Sequence, residues 1–328
     1  MAAKHITVLA TGGTIAGRGA RGLGRAYVPG QIGIAEMAAE VRELGIDAEL
    51  SSVDIAAIGS QDIGWTEWDR LYGYIKAALN DPGVDGIIVT HGTDSAEETA
   101  LLLDLTLPAD TPLVLVGAMR PADAVGSDGM RNFANAVRTA SDPAAGGRGV
   151  MVVMGDQVFA ASDVRKAATS HIDAFRGFPR GPIANVTPAS LDWFGPPPRT
   201  GEGARFDWPQ TLPQVDVLMA YAGMSPCTVD ALLQCGATGL VLAGMGAGNA
   251  PGPVLDALAD AVRGGVPVVR ASRVDQGYVD RNLEVDDDAR GFVAARSYGP
   301  AKARILLQLL IASGITDPLA MQVHFDRR

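Results

Sequence analysis

Two cysteines in 328 residues are too few to staple a fold. Cys227 and Cys235 flank TVDALLQ, which reads as a helix. Eight helical steps of about 1.5 Å hold them roughly 12 Å apart, and a disulfide needs Cα atoms within about 7 Å. No bridge between them is expected. The four histidines, His5, His91, His171 and His324, lie far apart. No HxxxH or CxxC spacing occurs, so no metal site is expected. Basic runs and aromatic-basic interleaving are missing, and the formal charge is −10, so the chain does not read as a nucleic-acid binder. Long apolar runs are missing too. The opening MAAKHITVLATGG has one lysine and a short apolar stretch that stops at glycine, too short for a signal peptide or a membrane span. A cytoplasmic chain without membrane contact is the expectation.

Three familiar motifs are absent or misplaced. No GxxxxGK[ST] and no GxSxG occurs. Residues 17–22 match GxGxxG, but they lie beyond a turn, and LGRAYVPG after them is a poor helix start. No nucleotide is expected to bind.

What is present is apolar and alternating. Hydrophobic residues make up 47%, which argues against disorder, and the length suits two domains. Strand-like runs at 84–89 (VDGIIV), 113–116 (LVLV) and 150–154 (VMVVM) each follow a helix-like stretch. This alternation predicts an α/β sheet. Residues 192–213 are dense in proline and glycine and include three consecutive prolines, which favour a stiff extended segment. They read as a linker between an amino-terminal domain, 1–191, and a carboxy-terminal domain, 214–328. In the latter, strands are expected at 215–220, 239–243 and 267–271. Helices are expected at 228–235, 251–263 and from Pro300 onward.

The stretch ITVLATGGTIAG at 6–17 starts as a buried strand and breaks at Thr11-Gly12-Gly13-Thr14. In a parallel sheet, loops at the carboxyl ends of strands share one edge, where ligands bind. Residues 11–14, 90–94 and 117–121 are expected to converge there. Thr14 is a candidate nucleophile. In the second loop, Thr93 and Asp94 open a helix: Thr93 offers a hydroxyl and an N–H to an oxyanion, and Asp94 a partner for an ammonium or a lysine. Taken singly, Thr14 also reads as a turn residue and Asp94 as a helix cap. The loop 17–30, rich in glycine and arginine, reads as a lid or as an ordinary surface loop.

Together these segments resemble the bacterial-type L-asparaginase family. They are ITVLATGGTIAG, GSQD at 59–62, IIVTHGTDSAEETA, VGAMRP, Val164-Arg165-Lys166, ASRV at 271–274 and Glu284-Val285-Asp286-Asp287. The resemblance runs the whole chain in order. It implies a two-domain α/β fold, with a larger amino-terminal domain on a mixed sheet and a smaller carboxy-terminal domain on a parallel one. It implies hydrolysis of L-asparagine, with L-glutamine as a side substrate, through an acyl-enzyme and without a cofactor or metal. By resemblance, Thr14 is the nucleophile and Tyr27 its lid contact, and Thr93, Asp94 and Lys166 form a second polar trio. Ser60, Gln61 and Asp94, with Gly13 and Gly92, line the substrate. Asn249 and Glu284 reach a neighbouring subunit's site in a homotetramer made of two intimate dimers. A non-catalytic amino-acid binder of the same fold would keep Ser60, Gln61 and Asp94 and lose Thr14 or Lys166; this sequence keeps all of them.

Overall fold

The computed structural model of the chain describes residues 3–19, 27–28, 34–43 and 45–327. They form two compact units, Met1–Arg205 and Phe206–Arg328.

Unit 1 opens with β1 (Lys4–Gly12), in which Ile6, Val8 and Leu9 are fully buried. A short antiparallel pair follows, β2 (Arg18–Gly19) with β3 (Tyr27–Val28). The chain then runs through α1 (Ile34–Glu43), β4 (Ala48–Ile58), α2 (Trp65–Leu79), β5 (Gly86–Thr90), α3 (Ala96–Thr106), β6 (Leu113–Val116), α4 (Gly129–Ser141) and β7 (Val150–Met154). It closes with short strands β8 (Gln157–Ala160), β9 (Val164–Lys166), β10 (Phe175–Gly177), β11 (Ala184–Val186) and β12 (Leu191–Trp193). Eight of these strands make one sheet in the order β12-β11-β8-β7-β6-β5-β1-β4.

The sheet is mixed, as expected. Strands β4, β1, β5, β6 and β7 run parallel, and β8, β11 and β12 extend the other end antiparallel. The central strands β5, β6 and β7 are buried at every position, which is why they read as unbroken apolar runs. Strand β4 has no such run and no sequence signal marked it. It is an edge strand with one neighbour, and most of its residues are partly or fully exposed. Helix α4 packs its buried face, including Phe133 and Val137, on the core formed by Ile6, Val8, Ile88 and Val114.

Unit 2 contains β13 (Val215–Met219), α5 (Cys227–Gln234), β14 (Gly239–Gly244), α6 (Gly252–Arg263), β15 (Val268–Ser272), α7 (Asp287–Arg290), β16 (Val293–Ala294), α8 (Pro300–Ala312) and α9 (Pro318–Asp326). Its sheet, β13-β14-β15-β16, is wholly parallel. Cys227 opens α5, Cys235 caps it, and both thiols are free. Pro300 stands at the start of α8, where its missing N–H costs nothing.

The stretch expected as a linker, 192–213, is divided between the units. Asp192 and Trp193 belong to β12, and Arg199 is buried in an ion pair with Asp104 at 2.6 Å. The boundary between units falls after Arg205. Proline and glycine there rule out helix but do not prevent packing. Among the described residues, no helix is long and apolar enough to cross a membrane, and no cluster of His, Cys, Asp and Glu could hold a metal ion.

Candidate active site

The candidate site in unit 1 starts where parallel strands end. At the end of β1 the chain turns through Gly12 and Gly13, both with positive φ, of 101° and 77°. A one-turn 3-10 helix follows, Thr14–Ala16. Gly13 N–H donates to the Ile58 carbonyl at 3.0 Å, which ties this turn to the end of β4. Thr11 lies within the strand, and its hydroxyl donates to the Thr90 carbonyl at 2.8 Å. That bond uses Thr11 structurally and leaves Thr14, 8% exposed, at the turn.

Loop 90–94 packs directly on this turn. A Cβ at Gly13 would lie 2.5 Å from Gly92 N and 2.6 Å from Gly92 Cα, so only glycine allows the two backbones to meet. Gly92 is packed just as tightly on its other side. A Cβ there would lie 2.7 Å from Ser60 Oγ. Gly117, at the end of β6, approaches the same loop through the His91 carbonyl and the Thr93 methyl. The three loops expected at one sheet edge therefore converge. They are joined by a fourth, the one-turn 3-10 helix Ser60–Asp62 after β4.

Loop 117–121 is held from below by Asp128. Its carboxylate accepts from the N–H groups of Met119 and Arg120, at 2.9 Å each, and from Asn132 Nδ2 at 2.9 Å. Loop 90–94 is held by His91, which is fully buried. A carbonyl only accepts, so His91 Nδ1 donates to the Gly92 carbonyl at 2.7 Å. Its Nε2 is then left to accept from the Thr99 hydroxyl at 3.0 Å, and Thr99 Oγ1 accepts in turn from Trp68 Nε1 at 2.9 Å. Burial pushes the His91 imidazole down to about 4, opposed in part by its bond to the Gly92 carbonyl. His91 is neutral at physiological pH.

Lys166 ends β9, which pairs with β10 through Lys166 opposite Phe175. From this hairpin its ammonium donates to Thr93 Oγ1 at 2.8 Å and to Asp94 Oδ1 at 2.5 Å. The Lys166 side chain is largely covered, at 17% exposure, whereas that of Asp94 is 62% exposed. Thr93 is buried. The expected trio is thus assembled, with Asp94 at its solvent side. Ser60 is buried and Gln61 exposed, and Gln61 Nε2 donates to Asp62 at 3.1 Å. Tyr27 lies in β3, opposite Gly19, and its side chain lies outside the described residues. So does most of the loop 17–30 read as a lid.

Unit 2 holds the remaining two candidates. Asn249 follows β14, where Gly244 gives way to a tight turn closed by Asn249 N–H on the Met245 carbonyl at 2.7 Å. Its Nδ2 donates to the Glu284 carboxylate. Beneath them, Arg270 is 1% exposed and its guanidinium binds both oxygens of Asp287 at 2.7 Å. Arg270 also donates to the carbonyls of Ala247, Gly248 and Asp280, at 2.9, 3.3 and 3.1 Å. One buried fork therefore ties the loop of Asn249 to the segment of Glu284.

Three residues that hold these loops escaped the sequence reading: Ser95, whose hydroxyl donates to the Ser60 carbonyl at 2.6 Å, His91 and Arg270. The sequence did hold a signal for Ser95, a hydroxyl residue at the start of a helix beside Asp94. Arg270 sits in an apolar strand, VVRAS, where a charge is expensive unless paired, and that was a usable sign.

Comparison with known proteins gives a consistent picture. Residues 5–199 match the family model "Asparaginase, N-terminal", and residues 214–325 match "Glutaminase/Asparaginase C-terminal domain". A protein of Haemophilus influenzae described as a probable periplasmic L-asparaginase is 40% identical, over 98% of this chain and 92% of its own. L-asparaginase 2 of Escherichia coli is 39% identical, over 100% of this chain and 94% of its own. A glutaminase-asparaginase of Pseudomonas fluorescens is 37% identical, over 94% of this chain and 86% of its own. A solved structure of a probable cytoplasmic L-asparaginase from Campylobacter jejuni superposes with a TM-score of 0.91 at 35% identity, covering 99% of this chain and 100% of that one.

Proposed function

This chain belongs to the asparaginase family and hydrolyses amide bonds, and we propose that its substrate is L-asparagine, converted to L-aspartate and ammonia, with L-glutamine as a side substrate. The observation that carries the site assignment is the ammonium of Lys166 bonded at once to Thr93 Oγ1 and Asp94 Oδ1, beside backbone-packed loops.

In this reading Thr14 Oγ attacks the side-chain amide carbon. Its proton passes through Tyr27, polarised by Glu284 of a neighbouring copy, to the departing nitrogen, because a threonine hydroxyl is a weak nucleophile until a base takes its proton. The Thr93 N–H faces the oxyanion, and ammonia leaves an ester on Thr14. A water between Thr93 and Lys166 then adds to the ester carbon and returns the proton to Thr14. Lys166 supplies positive charge next to the reacting atoms. Ser60 and Gln61 take the α-carboxylate of the substrate and Asp94 the α-ammonium, with the backbones of Gly13 and Gly92 forming the wall. Asn249 and Glu284 complete the site of another copy, which calls for an intimate dimer, paired into a homotetramer. A carboxy-terminal domain that serves the neighbouring site, joined to a catalytic amino-terminal one, is the organisation this requires. A cytoplasmic location accords with the description of the Campylobacter protein, although the Haemophilus relative is described as periplasmic.

Ammonia release tests the substrate: no release from asparagine or glutamine at millimolar concentration would sink the proposal. For the nucleophile, Thr14→Ala is expected to lower kcat by roughly 10⁴-fold or more, with circular dichroism unchanged. Retained turnover would exclude Thr14.

A further inference from the structure

The turn after β4 and the start of α3 are locked together by reciprocal bonds. Ser95 Oγ donates to the Ser60 carbonyl at 2.6 Å. In return Ser60 Oγ accepts from the N–H groups of Asp94 at 3.1 Å and Ser95 at 3.4 Å. Both side chains are buried, Ser60 at 5% exposure and Ser95 at 9%. Gly92 closes the remaining space, since a Cβ there would lie 2.7 Å from the Ser60 hydroxyl oxygen.

A serine hydroxyl has one proton and two lone pairs. The oxygen of Ser60 already accepts two backbone N–H groups, which leaves the hydroxyl to act as a donor. It is therefore set up to give a hydrogen bond to an anion and unsuited to receive one from an amide. This arrangement holds only while the Ser60 backbone stays against α3, and the Ser95 hydroxyl bonded to the Ser60 carbonyl ties it there. We propose that Ser95 is a positioning residue that presents the Ser60 hydroxyl as an obligate donor to the substrate's α-carboxylate. The inference rests on the reading of Ser60 as a carboxylate ligand. Its consequence is selectivity for a free α-carboxylate over an α-amide, which offers a neutral acceptor and a competing N–H donor.

The test is steady-state kinetics of the full-length chain on L-asparagine and on its α-amide, for Ser95→Ala, Ser95→Thr and Ser60→Ala. Ser95→Ala should raise KM for L-asparagine about 10-fold at near-native kcat, the pattern of lost uniform binding. The preference for L-asparagine over the α-amide, as a ratio of kcat/KM, should fall by a similar factor. Ser95→Thr keeps the hydroxyl and should return KM to within about twofold. An Ser95→Ala enzyme with a lowered melting temperature but native KM and native selectivity would show a purely structural bond and overturn the inference. If Ser60→Ala raises KM while Ser95→Ala does not, the inference alone fails. If Ser60→Ala leaves KM unchanged, the carboxylate reading of Ser60 fails first. Should Ser95→Ala not fold, Ser95→Cys carries the same test, because a thiol of similar size is a weak donor and KM must still rise.

Discussion

The two candidate corners of this chain are built by different means. In unit 1 the loops around Thr14 pack at glycines, Gly13 against the Gly92 backbone and Gly92 against Ser60, with the side chains of His91 and Asp128 bracing them. The ion pair there is half open to solvent, with Lys166 largely covered and Asp94 mostly exposed. In unit 2 the loops around Asn249 and Glu284 are set by a side chain, the guanidinium of Arg270, locked to Asp287 in a pair with 1% and 0% exposure. The difference lies in what each corner cannot tolerate. The first has no room for an added methyl group. The second cannot lose a charge, because the partner would remain buried and unpaired.

The largest effect expected from this contrast is in unit 2. Arg270→Met leaves the Asp287 carboxylate without its cation and orphans three loop carbonyls. Unfolding in denaturant should show unit 2 destabilised by about 3–5 kcal/mol, the range for breaking a buried pair from one side. Replacing Asp287 by Leu as well should recover most of that loss, since an apolar pair of matched volume can substitute for buried charges. The loop geometry should not recover with it. A single variant that loses less than about 1 kcal/mol would break the contrast, because Arg270 would then be dispensable.

In unit 1 the sensitive polar group is neutral, which gives a different signature. Burial holds the His91 imidazole at about 4 in the folded chain, against 6.5 for an ordinary histidine. Below the unfolded value the unfolded chain takes up a proton that the folded chain refuses. Stability from this residue is therefore complete above about pH 6.5 and falls as pH drops toward 4, by about 3 kcal/mol in all. Below that both states are protonated and the loss levels off. His91→Asn keeps a donor for the Gly92 carbonyl and should flatten this part of the pH profile. Equal slopes between pH 4 and 6.5 for the native and variant chains would remove His91 from the account.

The sequence showed unit 1 and unit 2 unequally well, for physical reasons. Strands β5, β6 and β7 were legible because burial on both faces demands unbroken apolar runs. The turns at Thr11–Thr14 and at Thr90–Asp94 were legible because glycine and threonine at a strand end have few other uses. Lys166 was reached through family resemblance, since nothing in its neighbourhood says that a hairpin of β9 and β10 aims it at Thr93. Edge strand β4 was missed because, although 11 residues long, it is mostly exposed and carries no apolar run, and the antiparallel extension because its strands are only 3 or 4 residues long, too short to show a period. Arg270 and Asp287 lie 17 residues apart and meet only because the start of α7 folds back onto β15. No local pattern encodes such a meeting.

The smallest expected effect sharpens the contrast most. Asn249 Nδ2 donates to Glu284, and both side chains stand at the partly exposed rim of unit 2. Asn249→Ala removes that one bond and leaves the Arg270–Asp287 fork untouched. If the fork sets the loops, Glu284 keeps its place and only one solvent-exposed contact is lost, worth about 1 kcal/mol because water replaces it. KM for L-asparagine should then rise several-fold with kcat nearly native, and the unfolding midpoint should barely move. A drop in stability as large as that of Arg270→Met would mean that the rim bond, and not the buried pair, holds the loops. Unit 2 would then be built from its surface inward, as unit 1 is not.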